Sequence, residues 1–191
     1  MLESDLAFDF APEWLVLRYD THPFYRRLAG LGFHGVDFLL LHRTEPRSLW
    51  IEVKNYRVRY RGQTPERLRA YVADPGLLAH KLARKELDTA AALAHVTRWY
   101  ARQWWWAPFG KTRLALARQT LPQLRTHDRV RFPLLHELPH AYLVVLELDD
   151  HYPGITEAAV TSFGESLQTH LRAMGSAGTI GNLAALRQHW A

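Results

Sequence analysis

The chain has no cysteine among its 191 residues. It therefore has no disulfide, no zinc site built on thiolates and no cysteine nucleophile, so packing must stabilise the fold and other side chains must carry any chemistry. No apolar run approaches the roughly 18 residues that a membrane-spanning helix needs. The N-terminal residues are acidic, whereas a signal peptide is basic at its start. These absences predict a cytoplasmic protein that has no membrane partner.

The composition is that of a folded globular protein with an excess of positive charge. Hydrophobic residues make up 48% of the chain and charged residues 23%, which predicts one domain over residues 1–191. The formal net charge of +5 and the pI of about 9.7 indicate a surface that attracts phosphate groups, although many proteins with a basic pI never bind nucleic acid. The eleven histidines show no HExxH or similar metal-ligand spacing. The composition therefore allows a nucleic-acid partner without requiring one.

Hydrophobic periodicity predicts a mixed α/β fold with a small sheet at its centre, in which the second and third strands form a β-hairpin. The predicted strands are 14–19, 36–41, 49–53 and 140–148. The predicted helices are 23–28, 77–103, 111–118, 162–174 and 180–190. The first predicted helix begins at Pro23, and the second is opened by the pair Asp74-Pro75, because proline is common at helix starts. The helices from about residue 160 are expected to pack on the domain.

The predicted hairpin brings charged side chains onto one face of the sheet. With the turn centred on residues 44–45, residues whose numbers add up to about 89 are opposite each other, so Asp37 faces Glu52. Lys54 shares the Glu52 face because strand side chains alternate. Two ionised carboxylates about 5 Å apart repel each other unless a proton or a cation lies between them. Mg²⁺ suits this position, with the Val53 carbonyl as a further oxygen ligand, and would promote phosphodiester hydrolysis. Lys54 would orient the attacking water or stabilise the developing charge.

These residues resemble the motif of the PD-(D/E)xK nuclease superfamily, which has the fold of the restriction endonucleases. Fourteen residues separate Asp37 from Glu52, and Lys54 ends the one acid-x-lysine sequence of the chain. Val36 stands where the family has proline. The resemblance implies a restriction-endonuclease-like α/β core, with a central mixed β-sheet flanked by helices. It also implies that Asp37 and Glu52 bind Mg²⁺, with Mn²⁺ as a substitute, and that Lys54 is the catalytic lysine.

A further acid often precedes the hairpin in this superfamily, and Asp20, or Glu13 as a second choice, is suited to that role. Asp20 is equally suited to cap the helix that begins at Pro23, because its carboxylate can accept backbone N–H bonds there. For the three motif residues, the alternative interpretation is a solvated strand face with salt bridges, which is ordinary in antiparallel sheets.

Arginines that follow the motif form a first candidate nucleic-acid contact. If the segment after residue 54 is extended, Arg57, Arg59 and Arg61 share one face and tyrosines occupy the other. Such a strip suits a phosphate backbone with stacked bases. An edge strand protected by charge explains the same pattern equally well.

The long helix carries a second candidate nucleic-acid contact. Lys81 and Lys85 lie on one helix face, together with Arg84 and Asp88. In the superfamily such a helix often covers the active site, so Lys85 or Arg84 would meet the substrate and Asp88 would orient them. The alternative is a solvated helix face with internal ion pairs.

The function expected from these residues is metal-dependent hydrolysis of DNA, with RNA as the alternative substrate. A role in defence or repair follows by analogy with the family alone. No DNA-reading module is recognisable, which suggests sequence-independent cleavage, a homodimer or the nuclease part of a larger complex. The runner-up is a catalytically inactive nucleic-acid-binding subunit, and a third class is a protein-interaction domain.

Overall fold

The structure is a computed structural model that describes residues 1–57, 65–102, 128–149 and 155–191. Its strands are β1 (Leu2–Glu3), β2 (Leu6–Ala7), β3 (Trp14–Arg18), β4 (Phe38–His42), β5 (Ser48–Asn55), β6 (His140–Glu147) and β7 (Thr179–Gly181). Its helices are α1 (Pro23–Ala29), α2 (Pro65–Ala73), α3 (Pro75–Ala101), α4 (Asp128–Glu137), α5 (Glu157–Ala173) and α6 (Leu183–Leu186), followed by a 3₁₀ turn (Arg187–His189). The predicted α/β class is confirmed.

The main sheet has five strands in the order β3-β4-β5-β6-β7 and is flanked by helices. Strands β3 and β4 are antiparallel, with Trp14 opposite His42. Strands β6 and β7 are parallel, with Val144 opposite Ile180. The sheet is therefore mixed, as predicted, and β1 and β2 form a separate two-stranded ribbon.

The central strands β4 and β5 are almost entirely buried. Every residue of β4 is buried, and Lys54 is the one residue of β5 that is partly exposed. Across the turn between them, the His42 N–H donates to the Arg47 carbonyl at 3.1 Å, which is the pairing that the predicted register requires. Glu52 is 0% exposed, so the alternative of a solvated strand face is wrong for this residue.

Most of the predicted elements are confirmed within a few residues, namely β3, β4, β5, β6, α1, α3 and α5. The helix predicted over 180–190 is wrong at its start. Ile180 lies in β7, because the parallel ladder with β6 takes up these residues, and α6 begins only at Leu183. The helix predicted over 111–118 lies outside the described residues.

The chain divides into two compact units. The first comprises residues 1–10, 51–84 and 142–191, and the second comprises residues 11–50 and 85–141. This division does not test the predicted single domain over residues 1–191, with its C-terminal helices packed on it, which stays a prediction.

Each unit has its own apolar core, to which an amphipathic helix contributes one face. In the first unit, α5 buries Phe163, Leu167 and Leu171 at helical spacing. In the second unit, α3 buries Leu93 and Val96 in the same way. Among the helices of the described segments, none is both long enough and apolar enough to cross a membrane.

His22 caps α1 and connects it to α4 within the second unit. Its Nδ1 accepts a hydrogen bond from the Phe24 N–H at 3.3 Å, which puts the ring proton on Nε2, 3.3 Å from Asp128. Arg131 contacts the same carboxylate. The bond from His22 and, less strongly, those from Arg131 lower the pKa of Asp128 from 3.8 to about 2, although burial raises it. The alternative of Asp20 as the cap of α1 is wrong, because His22 occupies that position.

We expect Asp128→Asn to lower the free energy of unfolding at pH 7 by about 1 kcal/mol, a value that allows for solvent screening. The side chain is 35% exposed. Because folding lowers the pKa, this stabilisation is complete above a pH of about 4 and is lost as the pH falls towards 2. Urea unfolding of both proteins between pH 7 and pH 2 measures the difference. The control Asp9→Asn, at an 88% exposed acid, should show no such trend. If wild type and Asp128→Asn differ in their free energy of unfolding by the same amount at pH 7 and at pH 2, this account is wrong.

Candidate active site

Glu52 and Lys54 form an ion pair on one face of β5, in the first unit. Glu52 is 0% exposed, whereas the Lys54 side chain keeps 21% of its surface exposed. The Lys54 ammonium donates to a Glu52 carboxylate oxygen and also reaches the Val53 carbonyl oxygen at 3.5 Å. A buried carboxylate needs such a partner, because an unpaired charge away from water costs several kcal/mol. The predicted acid-x-lysine sequence therefore forms a charge-balanced contact.

Two tyrosines pack next to this ion pair. The rings of Tyr56 and Tyr71 meet edge to face, with their centroids 6.0 Å apart. Burial raises the pKa of Tyr56, and the neighbouring Tyr71 and the Glu52 charge raise it further, so the phenol stays protonated at neutral pH. Lys81 donates to the Tyr71 hydroxyl at 2.9 Å and lies 5.2 Å from the centre of its ring. Lys81, a predicted nucleic-acid contact, is thus linked to the surroundings of Glu52 through two aromatic rings.

Asp20 and Asp37 form a pair of carboxylates in the second unit. One carboxylate oxygen of Asp20 lies within 4.8 Å of one carboxylate oxygen of Asp37. The Tyr19 N–H donates to the Asp37 carbonyl at 2.9 Å, which holds the end of β3 beside the start of β4. Asp20 Oδ1 is buried 3.4 Å from Arg18 Nε and has no hydrogen-bond partner in the part of the chain that the structure describes. Two carboxylates this close suit a hard cation such as Mg²⁺, and the Arg18 guanidinium already balances part of the Asp20 charge.

The backbone before Asp37 is held by side chains of the second unit. The Gly35 N–H donates to the Tyr25 hydroxyl at 3.0 Å, and the Val36 N–H donates to the Thr89 hydroxyl at 3.1 Å. A Cβ at residue 35 would lie 2.6 Å from the Tyr25 ring, so glycine is required there. Proline has no N–H, so valine at residue 36 makes a hydrogen bond that a proline would lose.

The predicted strip of arginines is described only at its start. Arg57 follows β5 and contacts Glu147, a buried acid at the end of β6. The Arg57 side chain remains 47% exposed. Arg59 and Arg61 lie outside the described residues. The prediction that this strip binds nucleic acid stays a prediction.

The lysines predicted to contact nucleic acid from α3 belong to different units, Lys81 to the first and Lys85 to the second. Lys81 is exposed and Lys85 is half-buried. Asp88 accepts a hydrogen bond from the His34 N–H at 3.0 Å and lies 3.1 Å from the His34 ring nitrogen. Asp88 therefore holds the loop before β4, a contact that the sequence did not predict. Glu13, the second choice for a further acid, is exposed.

Two residues beside the site were missed by the sequence interpretation. Glu147 stands between two leucines at the end of an apolar strand, much as Glu52 stands between Ile51 and Val53. Tyr71 lies on α2, whose start is marked by a proline and an acid. Both signals are present in the sequence, but neither reveals which partner the residue contacts.

No family model matches the chain, and no curated protein or solved structure is significantly similar to it. The case for a function must therefore rest on the residues and their geometry.

Proposed function

We propose that this chain is a metal-dependent nuclease with a restriction-endonuclease-like, PD-(D/E)xK core that hydrolyses phosphodiester bonds of DNA, with RNA as the alternative substrate. The observation that carries the proposal is the buried Glu52 carboxylate held by Lys54, in the acid-x-lysine order of that superfamily. Replacing a buried ion pair by apolar residues is often neutral or stabilising. Such a pair inside an apolar sheet therefore favours a chemical role over a purely structural one.

In this proposal Asp37 and Glu52 bind Mg²⁺, and the Val53 carbonyl and Asp20 supply further ligands. All four offer hard oxygen atoms, the type that Mg²⁺ prefers. One Asp20 oxygen lies within 4.8 Å of an Asp37 oxygen, and this closeness supports a cation there. The backbone hydrogen bond between His42 and Arg47, across the β4–β5 turn, fits the strand register. The same register predicts that Asp37 faces Glu52.

Bound Mg²⁺ would act as a Lewis acid on the scissile phosphate and would lower the pKa of a coordinated water. Lys54 stabilises the negative charge that develops on the phosphate or orients the attacking water. Its side chain suits this role because it touches Glu52 and is partly exposed. Arg57, Lys81 and Lys85 hold the strand through contacts with its phosphates.

We expect the purified chain to nick supercoiled plasmid and to cut single-stranded DNA in Mg²⁺ or Mn²⁺, and to be inactive in EDTA. The metal dependence follows from the oxygen-only ligand set. Gel electrophoresis of both DNA substrates and of an RNA of the same sequence measures cleavage and ranks the substrates. If none of the three is cut in either metal, the nuclease proposal is wrong.

One observation favours a second candidate, a catalytically inactive nucleic-acid-binding subunit. The Lys54 ammonium already balances the Glu52 charge without a metal. Such a subunit would bind DNA with an affinity that falls steeply with salt, and would not cut it. Fluorescence anisotropy of labelled DNA in EDTA and in Mg²⁺ separates the two candidates. The nuclease should bind more tightly when Mg²⁺ is added, whereas the subunit should not.

A further inference from the structure

A pocket of about 500 Å³ lies within the first unit, lined by residues of the β1-β2 ribbon and of the C-terminal segment. Its volume falls in the range of small-molecule sites, about 300–1,000 Å³. The apolar part of its wall is formed by Ala7, Leu183, Ala184 and the buried ring of Trp190. Arg57, the first residue of the predicted basic strip, also lines it.

Two arginines supply the positive charge of this pocket, and two acids, Asp9 and Glu147, also line it. Arg57 contacts one oxygen of the buried Glu147, and the other oxygen accepts the Leu183 N–H at 2.6 Å. The carboxylate thus has a partner at each oxygen, whereas the Arg57 guanidinium carries five N–H donors. Arg187 lies 3.6 Å from Asp9, with side chains 60% and 88% exposed. Because so exposed a contact is worth little, an incoming anion can displace Asp9 from Arg187.

We propose that the pocket binds a nucleoside monophosphate unit, with its phosphate on Arg57 and Arg187 and its base on the apolar wall. Guanidinium groups match phosphate oxygens in geometry and charge. The choice of a nucleotide over another organic anion rests on the proposed nuclease function. Arg57 follows Lys54 by three residues, at most about 10 Å along the chain. The pocket is therefore lined by a residue that is close along the chain to the proposed catalytic lysine.

The test is a calorimetric titration of the whole chain with thymidine 5′-monophosphate in EDTA. We expect a dissociation constant below about 1 mM. Arg187→Ala should weaken binding about tenfold, the effect of losing one charge-assisted hydrogen bond. Ala184→Trp, which fills the pocket from an exposed position, should abolish binding. The control Arg172→Ala removes an exposed arginine of the same unit outside the pocket and should keep the affinity.

Thymidine and inorganic phosphate, titrated separately, test the two halves of the site, and each should bind about tenfold more weakly than the nucleotide. Glu52→Gln should keep nucleotide binding, because the measurement requires neither metal nor cleavage. Binding without cleavage would therefore refute the nuclease proposal alone, and cleavage without binding would refute the pocket proposal alone. An affinity that neither Arg187→Ala nor Ala184→Trp changes also overturns the pocket proposal.

Discussion

Glu52→Gln is expected to lower the rate of metal-dependent DNA cleavage at least about a thousandfold, because a metal contributes several kcal/mol to the transition state and 1.4 kcal/mol is tenfold. The amide keeps the size of a side chain that is 0% exposed, so the fold should persist. It removes the negative charge that would bind the ion in the proposed site. Initial rates of cleavage at increasing Mg²⁺ concentrations, together with circular dichroism, measure the two effects separately.

The matched control for this experiment is Glu86→Gln on α3. Glu86 is also a poorly exposed acid with a side-chain partner, since it lies 3.5 Å from His140 and is 14% exposed. Its replacement should leave cleavage unchanged, whereas Asp37→Asn should reproduce the defect of Glu52→Gln. If folded Glu52→Gln cuts DNA at the wild-type rate, Glu52 is not a metal ligand and the proposed mechanism is wrong.

The sequence predicted the helices and strands that have a clear hydrophobic pattern in their own residues. Strands β4 and β5 are apolar runs on either side of a polar turn, and α3 repeats its buried residues at helical spacing. Helix α4 contains Pro133, which removes a backbone donor, so no local pattern indicated a helix there. Strand β7 has only three residues, and Ile180 gains its partner Val144 from a distant strand.

In the candidate site, too, the sequence predicted the features that depend on local geometry and missed those that depend on distant residues. Strand alternation is local geometry, so the sequence predicted that Glu52 and Lys54 share a face. The complete burial of Glu52 comes from the neighbouring elements, which a single strand does not specify. The pairing of Asp20 with Asp37 depends on the antiparallel ladder of β3 and β4. For Asp20 the sequence therefore left two roles open, and only the fold excluded the helix cap.

Replacing Lys54 by methionine is expected to lower the free energy of unfolding by about 3 kcal/mol at pH 7. Glu52 would lose the ammonium that balances its buried charge, and removing one member of a buried ion pair costs roughly 3–5 kcal/mol. The lower end of this range applies because the Lys54 side chain is 21% exposed and water reaches the contact. Urea unfolding followed by circular dichroism measures the change.

The double variant Glu52→Gln/Lys54→Met tests the cause of this loss. It removes both charges of the pair, so it should be about 2 kcal/mol more stable than Lys54→Met alone. The control Arg47→Met removes one member of an exposed pair with Glu45, at 2.5 Å, and should cost about 1 kcal/mol or less. If Lys54→Met costs no more than this control, the Lys54 ammonium does not hold the Glu52 charge. The nuclease proposal would then lose the observation that carries it, because an acid and a lysine without mutual contact are only a sequence pattern.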